Sequence, residues 1–203
     1  VYYDCNKKDL IEIWKKHFYE HLENVDNYFS QNRDKVLFFE LGKTNLNELI
    51  DFPVTNTLMG LGVYPGTGKR FLGMLGMHGT YQANMAMHNA DLIIAVGARF
   101  DDRITNTPEK FAPKAKVIHF DVDHSSVSKI IEADIAVFGQ VKDSLKAINN
   151  YLRSRKDEIN KEKLSPWHQQ IREWRELHGL NHELYKNESD GHPILPQAAV
   201  QHI

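Results

Sequence analysis

The sequence predicts an α/β protein built on a doubly wound parallel sheet, with an extra helix-strand segment at its N-terminal end. Three observations lead there. Short apolar runs such as "DLIIAV" (91–96) lack polar alternation, which marks strands buried on both faces. These runs alternate with stretches of helical length and helical periodicity. Their ends carry Gly, Asp or small polar residues, the residue types found where parallel strands turn at a ligand-binding edge.

Taken in order, Leu10, Ile13, Trp14, His17, Phe18, Leu22, Val25 and Phe29 recur at three- and four-residue steps and predict an amphipathic helix. "KVLFFEL" (35–41) reads as a strand, and "TNLNELIDF" as a short helix capped by Thr44 or Asn45 and ended by Pro53. "PVTNTL" is a second strand, followed by a Gly- and Pro-rich loop through residue 79 and a helix from about Thr80 to Asn89. "DLIIAV", "KVIHFDVD" and "ADIAVFG" are further strands, "HSSVSKII" a short helix and "VKDSLKAINNYLRSR" a longer one. Residues 156–166 form a charged linker before a helix around "WHQQIREWRELHG", with Trp167, Ile171, Trp174 and Leu177 or Leu180 as its apolar stripe. "PQAAVQHI" reads as the start of one more helix, with Pro196 at its first turn, so the chain is expected to be a stretch of a longer protein.

Composition narrows the function. A formal charge of −2 over 203 residues offers no broad cationic field, which argues against nucleic acid or an anionic membrane as partner. The single cysteine, Cys5, rules out an internal disulfide or a multi-cysteine metal centre. The start lacks a signal-peptide pattern and no apolar run nears the ~20 residues of a membrane span, so the expectation is an intracellular protein.

Two motif readings are weak. "GVYPGTGKR" departs from a phosphate loop in spacing, and Arg70 stands where the magnesium-binding hydroxyl would be. "HFYEH" (17–21) fits an inverted zinc-peptidase pattern, but His17 also belongs to the amphipathic stripe and no third ligand can be nominated. The strand ends form a better constellation: "MGLG", "GMHGT", "GARFDD", "DVD" and "GQV" would share one edge of a parallel sheet. There, backbone N–H groups suit a pyrophosphate, Arg99 and Arg103 complement its charge, and Asp121 suits ribose hydroxyls. The competing reading is that the glycines only let helices pack close to strands, and that "RFDDR" is a solvated cluster pairing with itself.

"NTLMGLGVYPG", "FLGMLGMHGTYQANMAMHNADLIIAVGARFDDRIT", "KFAPKAKVIHFDVD" and "SVSKIIEADIAVFG" closely resemble the Rossmann-like middle domain of the catalytic large subunit of acetohydroxyacid (acetolactate) synthases. The likeness covers residues 49–203, continuing through "SPWHQQIREWRELHGLNHELYK" to "ILPQAAVQHI". It implies a thiamine-diphosphate enzyme of branched-chain amino-acid synthesis, which decarboxylates pyruvate and joins the fragment to pyruvate or 2-oxobutanoate. In that family this domain binds FAD, which performs no net redox. By position, Thr57, Leu58, Met59, Gly76, Met77, His78, Gly79, Thr80, Gly97, Arg99, Asp101, Arg103, Asp121, Val122, Gly139, Gln140 and Val141 match flavin-contacting segments. Met77, Asp102 and Arg103 match residues near a substrate channel.

The resemblance also implies a homo-oligomer with a small regulatory subunit, in the cytoplasm of a bacterium or an organelle of a eukaryote. The expected organisation is an unmatched segment at 1–48, the FAD domain at 49–155, and at 156–203 a linker and helix leading toward a thiamine-diphosphate domain. No catalytic or metal-binding residue is assigned to this chain: the family's activating Glu and its Gly-Asp-Gly…Asn motif for Mg2+ and the diphosphate lie in other domains. The chain alone is not expected to make acetolactate. Gln140 replaces a usual Asp, and "VLFFELG" offers Gly42 in place of a triple glycine. The stretch "WKKHFYEHLENVDNYFSQNRDKVLFFELG" resembles instead the tail of a sulfotransferase domain, without its sulfonate-donor motifs. Two rivals remain: the middle domain of another thiamine-diphosphate enzyme (an oxidase, carboligase or decarboxylase), and a non-catalytic nucleotide-binding module.

Overall fold

The computed structural model describes residues 36–40, 51–154 and 161–179. Among the described residues, six strands form one parallel sheet: β1 (Val36–Glu40), β2 (Val54–Asn56), β3 (Phe71–Met74), β4 (Leu92–Val96), β5 (Lys116–Asp121) and β6 (Ile135–Phe138). Their spatial order is β3-β2-β1-β4-β5-β6. The order reverses direction between β1 and β4, which is the doubly wound arrangement with its switch point at the centre. The strand read at 35–41 therefore lies in the middle of the sheet, although it precedes the expected boundary at residue 49.

The unalternated apolar strands are explained by the layers. Leu92, Ile94 and Val96 of β4 face a cluster with Ile118, Phe120, Ile135 and Val137, covered by Leu145 and Ile148 of α3 (Val141–Ser154). Ile93 and Ala95 face the other way, onto Ala83, Ala86 and Met87 of α1 (Tyr81–Asn89). All five residues of β4 are buried, so a strand with two covered faces must be apolar at every position. α4 (Ser165–His178) packs on the same side as α1 and buries Trp167 and Ile171.

Several expectations are corrected. The run through residue 79 is not all loop: it contains β3, an edge strand whose pairing with β2 shifts register between Val54 and Asn56. "HSSVSKII" forms turns and not a helix. Asp123 accepts from the Ser125 amide (2.9 Å) and from the hydroxyls of Ser125 and Ser126, and Ser128 has a φ of +56°, incompatible with a continuing helix. Residues 161–164 are a 3-10 turn, and α4 begins at Ser165, inside the expected linker. Leu177 is 73% exposed and leaves the apolar stripe to Trp167, Ile171 and Trp174. The helices read at 10–29 and 44–52 (but for 51–52), the "HFYEH" motif, Gly42, Leu180 and the terminal "PQAAVQHI" lie outside the described residues.

Candidate functional site at the carboxyl edge of the sheet

Every strand-end segment singled out above falls at the carboxyl edge, because all strands are parallel. From β3 to β6 that edge spans five interstrand steps, about 24 Å. This length suits an extended dinucleotide lying across the switch point.

At the end of β2, Thr57 caps a one-turn 3-10 helix (Leu58–Gly60), its Oγ1 accepting from the Gly60 amide at 3.1 Å. The tight turn thrusts Leu58 and Met59 outward, 68% and 88% exposed. Asn56 beneath them donates through Nδ2 to the Gly60 carbonyl (2.7 Å), while its buried Oδ1 has no hydrogen-bond partner.

At the end of β3, the "GMHGT" turn is locked through its backbone amides. The Gly76 amide donates to Asn84 Oδ1 (2.8 Å), Met77 to the Arg103 carbonyl (2.9 Å), Gly79 to the Gly76 carbonyl (2.9 Å) and Thr80 to the Met74 carbonyl (2.9 Å). Thr80 caps α1, accepting from the Ala83 amide (3.3 Å) and donating to the Leu72 carbonyl (2.6 Å). Four of the five amides expected to be available to a phosphate are thus engaged within the protein. The turn instead presents the side chains of Met77, 63% exposed, and of His78. The glycines meet protein, too: a Cβ on Gly76 would lie 2.5 Å from the Arg103 carbonyl oxygen, and one on Gly79 2.5 Å from the Leu75 backbone. Close packing accounts for these two glycines.

After β4, Gly97 donates to the Phe120 carbonyl (2.7 Å) and lies next to the switch point. Phe100, with a φ of +52°, turns inward and is buried edge-on against His119 and Phe111. Its neighbours are thereby directed outward: the Arg99 side chain is 74% exposed and reaches Asp101 only at 3.5 Å. Asp101 caps the short helix α2 (Asp102–Thr105), accepting from the Arg103 amide at 3.2 Å. The Asp102 carboxyl, the Arg103 amide and the two guanidinium groups hold the Asp101 carboxyl below its ordinary value.

At the end of β5, Asp121 is buried, not presented: Oδ1 accepts from the Asp123 amide (2.8 Å) and Oδ2 lies 3.7 Å from His119 Nε2. Val122, next to it, is 57% exposed. After β6, Gly139 donates to the Asp121 carbonyl (3.1 Å), and the Gln140 carbonyl accepts from Asp143 (2.9 Å) and Ser144 (3.1 Å), starting α3 at Val141. Gln140 itself is exposed.

Met77, Asp102 and Arg103 do come together. They line one groove of about 660 Å3 between α1 and the segment 102–112, with Gly76, His88 and Lys110. Its floor carries both apolar and cationic groups. Asn84, which locks the turn on both sides by also donating to the Gly76 carbonyl (2.9 Å), and the Phe100–His119 pair were missed by sequence reading. A lone Asn eight residues from a glycine carries no recognisable spacing. His119 is fully buried with neither ring nitrogen hydrogen-bonded, and burial pushes its pKa down against the opposing pull of Asp121 and the Ala98 backbone.

A parallel sheet in this order, with its switch point at the centre, defines a doubly wound, Rossmann-like α/β domain. The family model for the thiamine pyrophosphate enzyme central domain matches residues 43–148, and the chain belongs to that family. It is 43% identical over 154 residues to the acetolactate synthase isozyme 3 large subunit of Escherichia coli, covering 76% of this chain and 26% of that protein. It is 48% identical over 126 residues to the acetolactate synthase large subunit of Haemophilus influenzae (62% of this chain, 22% of that protein). To acetolactate synthase 1, chloroplastic, of Nicotiana tabacum it is 35% identical over 187 residues, 89% of this chain and 27% of that protein. An alignment of that extent reaches into the segment before residue 49. The chain spans about a quarter of the length of the E. coli and tobacco relatives. Among the described residues, no helix is long and apolar enough to cross a membrane.

Proposed function

We propose that this chain is the FAD-binding central part of an acetolactate synthase large subunit, with the flavin laid along the carboxyl edge of the sheet. The observation that carries the reading is the row of outward apolar side chains, Leu58, Met59, Met77 and Val122, on an edge that also holds the exposed Arg99 guanidinium. Large apolar side chains left in water at one edge suit the flat faces of a flavin, and a guanidinium suits its diphosphate. The residues present fit the group in this way.

Thr57, Leu58 and Met59 would line one side and Met77 and His78 the other, with Gly76, Gly79 and Thr80 holding the turn that carries them. Gly97 would give backbone access at the switch point, and Arg99 and Arg103 would complement the charge of the diphosphate, with Asp101 beside Arg99. Asp121, engaged inward, would act through its backbone and through Val122. Gly139, Gln140 and Val141 would close the adenosine end, with the Gln140 amide in the role of a carboxylate. Bound FAD supplies a fixed flat surface and no net redox. Met77, Asp102 and Arg103 would guide a 2-oxo acid along the groove.

The complete enzyme would use thiamine diphosphate and Mg2+ held by other parts, take pyruvate with pyruvate or 2-oxobutanoate, and assemble as a homo-oligomer with a small regulatory subunit. It would act in a bacterial cytoplasm or a eukaryotic organelle. Titration of the chain with FAD, read by flavin fluorescence and visible absorbance, tests the reading. Saturable binding with a spectral change is expected, and an unperturbed flavin spectrum at all protein concentrations would contradict it.

A further inference from the structure

At the opposite, amino edge of the sheet, three segments distant in sequence meet through charged groups. Asp51, just before β2, accepts two bonds from Arg70, just before β3: Arg70 Nε reaches Oδ1 at 2.6 Å and Nη2 reaches Oδ2. His168, on the first turn of α4, places Nε2 at 3.7 Å from the same Oδ2 and is 6% exposed. That nitrogen is buried without a hydrogen-bond partner. The other end of α4 is held differently: Arg175 donates to the Phe71 carbonyl on edge strand β3 (2.7 Å), and His178 packs on Tyr81, at 4.2 Å between ring centroids.

We propose that the Asp51–Arg70–His168 cluster is a proton-sensitive fastening for α4, which docks on the sheet while His168 is neutral and is released when it is protonated. Both carboxylate oxygens of Asp51 are already bonded to Arg70, so the pair is internally neutralised and has little left to offer an imidazolium. The charged groups facing His168 are Asp51, Arg70 and Arg172, two cations against one anion. A proton added there makes a buried site with excess positive charge. Burial, then Arg70, depress the His168 pKa from 6.5, outweighing Asp51. The sign follows: docking is at full strength above the unfolded value and is lost as pH falls below it. This inference concerns the amino edge and does not rest on flavin binding.

Hydrogen exchange of the full chain, corrected for the intrinsic pH dependence, tests it by comparing α4 with α3 between about pH 7.5 and about pH 5. The expected result is that α4 loses about tenfold or more protection at low pH relative to α3, beyond any loss the two share. His168→Gln, which cannot be charged, should flatten this pH dependence. If the variant does not fold, the wild-type comparison decides alone. Equal loss in α3 and α4, no pH-dependent loss in α4, or a folded Gln variant that behaves as wild type would each overturn the proposal.

Discussion

At Gly76 a backbone φ of +95° coincides with a Cβ direction closed by the Arg103 carbonyl oxygen. Gly76→Ala should therefore lose about 1–3 kcal/mol to backbone strain alone, and more from the steric contact. Gly66, with open space around its Cβ direction and no left-handed φ, is the matched control: Gly66→Ala should leave the urea midpoint nearly unchanged. The same scale holds the acid sensitivity of the core. His119 is fully enclosed, edge-on to Phe100 at 5.4 Å, and its pKa is lowered by burial. A lowered folded value means stability lost as pH drops below 6.5, with a limiting slope of about 1.4 kcal/mol per pH unit. His119→Phe leaves no orphaned nitrogens and should flatten that limb, measured as the fall in Tm from neutral pH to pH ~5, at little cost at neutral pH. None of this was legible in the sequence: the partner of Gly76 is Arg103, 27 residues on, and His119 is enclosed by Phe100, 19 residues before it.

Among the elements, those with a single physical cause were legible. β4 is apolar throughout and buried throughout, and α1 begins where Thr80 caps it. Thr80→Ala removes both the cap and the bond to the Leu72 carbonyl, so a loss of about 1–2 kcal/mol is expected in chemical denaturation. β3 was hidden because "FLGM" lies in a glycine-rich run, with a left-handed Gly73 inside the strand and a register shift beside it. The helix read in "HSSVSKII" failed because Asp123 draws the following serines into a turn. Local side-chain bonding overrode helical spacing there.

For the molecule as a whole, the parallel sheet and the gathering of the small polar strand ends at one edge were readable, because unalternated strands are the consequence of burial on two faces. The strand order was not, and it matters most: it puts β1 at the centre and the switch point beside Gly97. The expected phosphate cradle of turn amides was also illegible, since those amides are engaged by partners such as Asn84 and the Arg103 carbonyl. In the proposed reading, recognition at this edge would rest on side chains, Leu58, Met59, Met77, Val122 and Arg99, carried on a backbone already held by its own hydrogen bonds.

Mapping hydrogen exchange of the chain with and without saturating FAD tests that account most directly. Protection gained at 57–61, 76–80, 97–103, 121–122 and 139–141, with none at the amino-edge segments around Asp51 and Arg70, is the expected result. No protection, or protection confined to the amino edge, would contradict it.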